Sequence, residues 1–87
     1  AEAALRLEPR HQEAMALCVR ALIRIRAFDA AVQRAETFDR RVVAGAELLA
    51  ARGSALFRVQ RIDDAALAYR RTVALDPLHA EAHLRLG

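Results

Sequence analysis

Two histidines set four residues apart are the pair in this chain with the most obvious chemical potential. On one helix, His79 and His83 would put two imidazoles on a common face. A zinc site would need at least one more ligand beside them, and Glu81 would point elsewhere on that helix. His79 also follows Pro77 closely, so it belongs to the connector and not to the helix beyond. The expected roles are a polar connector residue for His79 and a filler of a large-residue position for His83. No metal and no cofactor is expected.

Other residues with chemical capacity read the same way. Cys18 is the only cysteine, so neither an intramolecular disulfide nor a thiolate cluster can form. A catalytic thiol needs an electropositive, partly exposed setting. Cys18 falls on an apolar helix face, where a cysteine behaves as a small hydrophobe. Glu13, Glu47 and Glu81 recur at a fixed interval. Paired carboxylates can do acid–base work, but a regular ladder of first-turn glutamates answers to the helix dipole. There is no glycine-rich phosphate loop and no nucleophile elbow, and no enzymatic activity is expected of the chain.

The arginines carry more. Arg20 and Arg24 are four apart and share a helical face, and Arg58 repeats the phase of Arg24. A guanidinium can fork onto a carboxylate through two parallel hydrogen bonds; equally, its long stem can simply cover a solvent-facing turn. All fourteen basic residues are arginine and the net charge is +3, as the codon usage of a GC-rich bacterial genome would produce. That charge does not by itself point to nucleic acid. Phe28, Phe38, Phe57 and Tyr69 do not alternate with basic residues, so stacking platforms for bases are poor. No apolar run approaches the roughly 18 residues of a membrane span, and the start lacks a signal pattern. No nucleic-acid or membrane partner is expected, and the expected setting is cytoplasmic.

Helices must position these side chains. Glycine and proline are scarce, and apolar residues recur at spacings of three and four. The pattern predicts the last turns of a helix over 1–7, a connector at Glu8-Pro9-Arg10-His11, and helices over 12–26, 29–41, 46–60 and 63–75, with a further one opening after Pro77. Met15, Cys18, Val19, Leu22 and Ile25 would form one apolar face. Ala31, Val32, Ala35 and Phe38 would face them, across a turn around Ala27-Phe28. Leu48, Leu49, Leu56 and Val59 repeat the design, with Ala66, Leu67, Tyr69, Val73 and Leu75 available for packing opposite. Asp29 and Asp63 are expected to cap their helices, and Gly45 to stop one.

A period underlies this layout. Pro9 and Pro77 lie twice 34 residues apart, each closing a similar phrase, Ala4-Leu5-Arg6-Leu7-Glu8 and Thr72-Val73-Ala74-Leu75-Asp76. Sliding the chain by 34 superimposes Glu13 on Glu47, Ala16 on Ala50, Ala21 on Ala55, Leu22 on Leu56, Arg24 on Arg58, Asp29 on Asp63 and Ala31 on Ala65. Small residues at two of these pairs suit sites where helices approach closely. A 34-residue period is the size of one antiparallel helix pair in a stacked array.

On these residues the chain resembles the tetratricopeptide repeat (TPR) family. Leu86-Gly87, Arg52-Gly53 and Cys18-Val19 stand at the family's Leu-Gly position. Ala31 and Ala65 stand at its small Ala, Tyr69 at its aromatic, and Pro9 and Pro77 at its closing Pro. Arg52, Val43 and Phe38 depart from the pattern. The resemblance covers the whole chain, 1–87, as a single region: 1–11 ends a partial repeat, 12–45 and 46–79 are repeats, and 80–87 starts another. The chain is therefore expected to be a piece of a longer protein.

The resemblance implies an all-α fold, a right-handed superhelical array of antiparallel helix pairs. It also implies a scaffold function, with first helices lining a concave face that binds a peptide or partner helix. By phase, the lining would include Glu13, Ala16, Arg20, Ile23 and Arg24, then Glu47, Ala50, Ser54, Phe57 and Arg58, then Glu81, Leu84 and Arg85. The peptide-binding residues expected are Arg20, Ile23, Arg24, Ser54, Phe57, Arg58 and Arg85. The arginines suit an acidic or amphipathic segment, Ile23 and Phe57 would give an apolar floor, and Ala16 and Ala50 would leave room for a ligand backbone. The family's chaperone-tail clamp sites fall on Ala16, Arg20, Ala51, Glu81 and Arg85, of which only Arg85 keeps the basic character, so a chaperone tail is not the expected ligand. The alternative is a helical accessory region of a larger enzyme, such as a transferase, with catalysis outside this chain. Leu5, Leu7, Leu84 and Leu86 would lack stacking neighbours, so self-association through open ends is expected.

Overall fold

The structure, a computed structural model, describes residues 9–42 and 44–86. It is all-helical, with no strand among the described residues. The order is α1 (Pro9–Arg24), α2 (Phe28–Arg41), α3 (Ala46–Arg58), α4 (Ile62–Leu75) and α5 (Ala80–Leu86). The expected helix over 1–7, the Val43 that stands in a proline's place, and Gly87 lie outside the described residues.

The helices follow the apolar pattern closely, and the differences have physical causes. Among the described residues α1 already includes Pro9-Arg10-His11, so that stretch is helix, not connector. Phe28 is the first residue of α2, and the turn before it is Ile25-Arg26-Ala27. Asp29 and Asp63 do not cap: each is the second residue of its helix, and Ala27 and Arg61 in front of them make no side-chain cap bond. Their charge still suits the positive end of the helix dipole.

The two intra-pair turns are built alike. After α1, the Arg26 N–H bonds the Ile23 carbonyl at 2.9 Å and the Ala27 N–H bonds the Leu22 carbonyl at 2.8 Å. After α3, the Gln60 N–H reaches Phe57 O at 3.1 Å and the Arg61 N–H reaches Leu56 O at 3.0 Å. Both are Schellman closures. Each needs a residue in the left-handed region, and Arg26 (φ 65°) and Gln60 (φ 67°) supply it. The turn geometry thus repeats at the sequence period.

The connectors between pairs are also tied back to a first helix, at Gly45 and, 34 residues on, at His79. Gly45 does not stop α2. That helix closes through the Val42 N–H on the Phe38 carbonyl, and Gly45 is extended (φ −84°, ψ 179°) in front of α3. The Gly45 N–H donates to Gln12 Oε1, and a Cβ on Gly45 would come 2.9 Å from that oxygen. A larger residue here would only push aside the flexible end of Gln12. In the next pair, Glu47 Oε1 meets His79 Nε2 at 2.7 Å. Each pair's first helix therefore holds the connector that follows its second.

α3 is the central element, burying Leu48, Leu49, Ala50, Ala51, Gly53, Ser54, Ala55 and Leu56 against α1, α2 and α4, while α5 packs on α4. The main core joins Val19, Ala31, Ala35, Leu56, Ala65, Tyr69 and other buried residues. A second cluster joins Val42, Ala44, Leu48 and Leu49, with Met15 and Phe38 against it. Gly53 lies directly under the Tyr69 ring, where a Cβ would meet three ring carbons at 3.0–3.1 Å. At the corresponding positions of the first pair stand Val19 and Ala35, both fully buried. Bulk on the first helix is matched by a small residue on the second, and the reverse, as close packing requires.

Three apolar residues expected to pack are instead exposed: Ile25, Leu67 and Leu75. Ile25 lies just past the end of α1. Leu67 and Leu75 share the outer side of α4 with Arg71, at i, i+4 and i+8.

Candidate functional site

The predicted binding residues lie on α1, α3 and α5, and the side-chain contacts link these helices. Arg20 of α1 donates to Glu81 Oε1 of α5 at 2.8 Å. The Tyr69 hydroxyl of α4 donates to the other Glu81 oxygen, Oε2, at 3.2 Å. Burial, and then the Glu81 carboxylate, push the Tyr69 phenol up to about 12, against the opposing pull of Arg85. Arg85, one turn beyond Glu81, stacks over the Phe57 ring of α3 at 4.8 Å. Arg20 and the buried Tyr69 thus meet on Glu81, and Arg85, one turn on, lies over Phe57, linking α1, α3, α4 and α5.

The expected residues divide by burial. Arg20 is half-buried and spends a guanidinium nitrogen on Glu81, so it is a tie between helices as well as a surface charge. Ser54 is buried, and Ile23 is half-buried against the core, so neither offers much to a ligand. Ala16 and Ala50 are also buried, and correct the expectation that they leave room on an open face: their small side chains serve helix–helix contact. Arg24, Arg58, Arg85 and the rim of Phe57 face outward. Arg58 and Arg26 both approach the Phe28 ring, at 5.9 and 5.7 Å. Arg24, Arg26, Arg58 and Arg85 have no ion-pair partner among the described residues, whereas Arg20, Arg52, Arg61 and Arg71 each do.

The glutamates differ as well. Glu13 lies past the first turn of α1, because that helix already includes Pro9. Glu47 holds His79 and Glu81 holds Arg20 and Tyr69, so two of the three serve packing contacts beyond the dipole. The histidines do not converge. His79 is buried, with Nε2 on Glu47 and Nδ1 accepting the Ala82 N–H, which caps α5. His83 is exposed and bonds the Pro77 carbonyl, so it does not fill a packing position. No group of three His, Cys, Asp or Glu among the described residues could hold a metal ion. No described helix is long and apolar enough to cross a membrane.

Reasoning from sequence missed a second ionic cluster. Asp39 of α2 accepts from Arg52 of α3 at 2.7 Å and lies 3.6 Å from Arg71 of α4. This explains the arginine at an otherwise apolar position: it is half-buried and partnered across the pair boundary. Its Nε is buried with no hydrogen-bond partner. The signal was Arg52 itself, but no local spacing indicated Asp39. No protein-family model matches the chain, and neither a curated protein nor a solved structure matches it.

Proposed function

We propose that the chain is a non-catalytic interaction module whose 34-residue helix pairs stack in the manner of tetratricopeptide repeats, as a right-handed array. It holds an acidic or amphipathic peptide, or a partner helix, against the face formed by α1, α3 and α5. The repeat reading is supported by the recurrence, 34 residues on, of the Schellman turns at Arg26 and Gln60, and by a tie from the first helix to Gly45 in one connector and to His79, 34 residues later, in the next.

The observation that carries the ligand reading is Arg85 over the part-exposed Phe57 ring, with the exposed Arg58 next to Phe57 in α3 and the exposed Arg24 on α1, neither of which has an ion-pair partner among the described residues. Guanidinium groups held over aromatic faces lose little freedom when they fork onto carboxylates. The exposed part of Phe57 gives a place for an apolar side chain between charges.

A display library of random peptides about a dozen residues long, an interface of ordinary small-motif size, would test this. Enrichment of sequences combining Asp or Glu with apolar residues is the expected result. The variant Arg58→Glu with Arg85→Glu should weaken the selected peptides by more than tenfold, and Arg70→Glu on α4 should leave them unchanged. Equal binding by both variants would sink the assignment of this surface.

A further inference from the structure

The outer face of α1 carries an apolar stripe with no described helix on it. Ala14, Leu17, Cys18, Ala21 and Ile25 follow one another at helical spacing. Leu17 is 60% exposed and Ile25 72%, and Ala14 and Ala21 are exposed too. The same face 34 residues on comprises Leu48, Ala51, Arg52, Ala55 and Val59 of α3, and there it is covered. Leu48, Ala51 and Ala55 are fully buried, Arg52 bonds Asp39 of α2, and Phe38 of α2 and Val42 just after it join the cluster around Leu48. On α3 the face is therefore a helix-packing surface.

The geometry points to a second copy of this chain as the occupant of the α1 face, docked with the two α1 helices antiparallel about a two-fold axis. The charges beside the stripe carry this choice. Glu13 and Arg24 are eleven residues apart, about three turns, so they lie on the same flank of the stripe. Both are exposed, and neither has an ion-pair partner among the described residues. In a two-fold antiparallel pair, like flanks meet with their directions reversed. Glu13 of each copy then faces Arg24 of the other, so both charges are answered at once. The centre between Glu13 and Arg24 falls within about one residue, or 1.5 Å, of the centre between Ala14 and Ile25. One register thus satisfies both charge pairs and sets the small Ala14 and Ala21 opposite Ile25 and Cys18 of the other copy. In a parallel two-fold pair opposite flanks would meet, so neither Glu13 nor Arg24 would face its counterpart charge on the other copy.

Sedimentation equilibrium of the 87-residue chain over a wide concentration range tests this. A reversible monomer–dimer equilibrium is expected. Leu17→Glu should abolish the dimer while leaving the far-ultraviolet circular dichroism of the monomer unchanged, since Leu17 is exposed there. Glu13→Arg should weaken the dimer by about tenfold, because two attractive pairs become repulsive. Adding Arg24→Glu to Glu13→Arg reverses both signs and should restore the affinity to within a few-fold. A chain that stays monomeric throughout overturns the proposal. So does a dimer indifferent to Leu17→Glu, which would place the contact on another face, such as the exposed leucines of α4 and α5. A charge-reversed double variant weaker than Glu13→Arg alone would overturn the antiparallel register.

Discussion

Replacing Gly53 with alanine should destabilise the protein, although alanine is the better helix former. In an open helix interior the change would gain about 1 kcal/mol, because glycine has more backbone freedom to lose on folding. Here the new methyl would meet three carbons of the Tyr69 ring at 3.0–3.1 Å, several tenths of an ångström inside ordinary van der Waals contact. The ring cannot easily give way. It is rigid, 1% exposed, and anchored through its hydroxyl to Glu81. Overpacking of this kind costs roughly 1–3 kcal/mol, so the net loss should be about 1 kcal/mol, or some 4–8 °C in a domain of this size. The decisive measurement is a double-mutant cycle by urea denaturation. With Tyr69→Leu in place the obstruction is gone, and Gly53→Ala should then stabilise by about 1 kcal/mol. The predicted coupling is about 2 kcal/mol, with a change of sign. If Gly53→Ala stabilises the protein while Tyr69 is present, the packing argument is wrong.

Three further outcomes follow from particular contacts. Arg26→Gly and Gln60→Gly should each stabilise by about 1 kcal/mol in thermal melts, since each relieves a side chain from the left-handed region, whereas an alanine at either site should give no such gain. Asp39→Ala should cost about 2 kcal/mol in denaturant titration, by leaving Arg52 half-buried and without its acceptor; adding Arg52→Leu should recover most of it. Tyr69 is the single tyrosine and the chain has no tryptophan, so tyrosinate absorbance reports it alone. Its folded value of about 12 lies above the unfolded value near 10. The unfolded state therefore gives up its proton first, and the contribution to stability, fully present below pH 10, should be lost between pH 10 and about pH 12; in Tyr69→Phe that part of the pH dependence should vanish.

The helices were legible because a helix records its buried face in local spacing. Val19, Leu48, Leu56 and Tyr69 fall at apolar phases and are buried. Helix ends were less legible. Pro9 reads as a breaker from sequence, yet it belongs to α1, since proline is tolerated in the first turn of a helix. The left-handed turns at Arg26 and Gln60 gave no signal, since neither is glycine or asparagine. The surface was legible as a set of phases but not as a set of partners. Arg20 and Glu81 are 61 residues apart, and Arg52 and Asp39 are 13 apart; no local pattern encodes which arginine is paired and which is left for a ligand.

The ties that close each helix pair have a consequence for how such a chain can change in length. Gln12 reaches Gly45, and Glu47 reaches His79, each inside its own 34-residue unit. A tandem copy of such a unit would bring its own closing contact with it. The Asp39–Arg52 pair is different, because it joins the two units, and the residues 34 places on from Asp39 and 34 places back from Arg52 are Val73 and Cys18. A copy of the first would set Asp39 against Cys18, and a copy of the second Val73 against Arg52, each leaving one charge without its partner. The contacts inside each helix pair would thus travel with a copy, while the contact between the pairs depends on which pair is the neighbour.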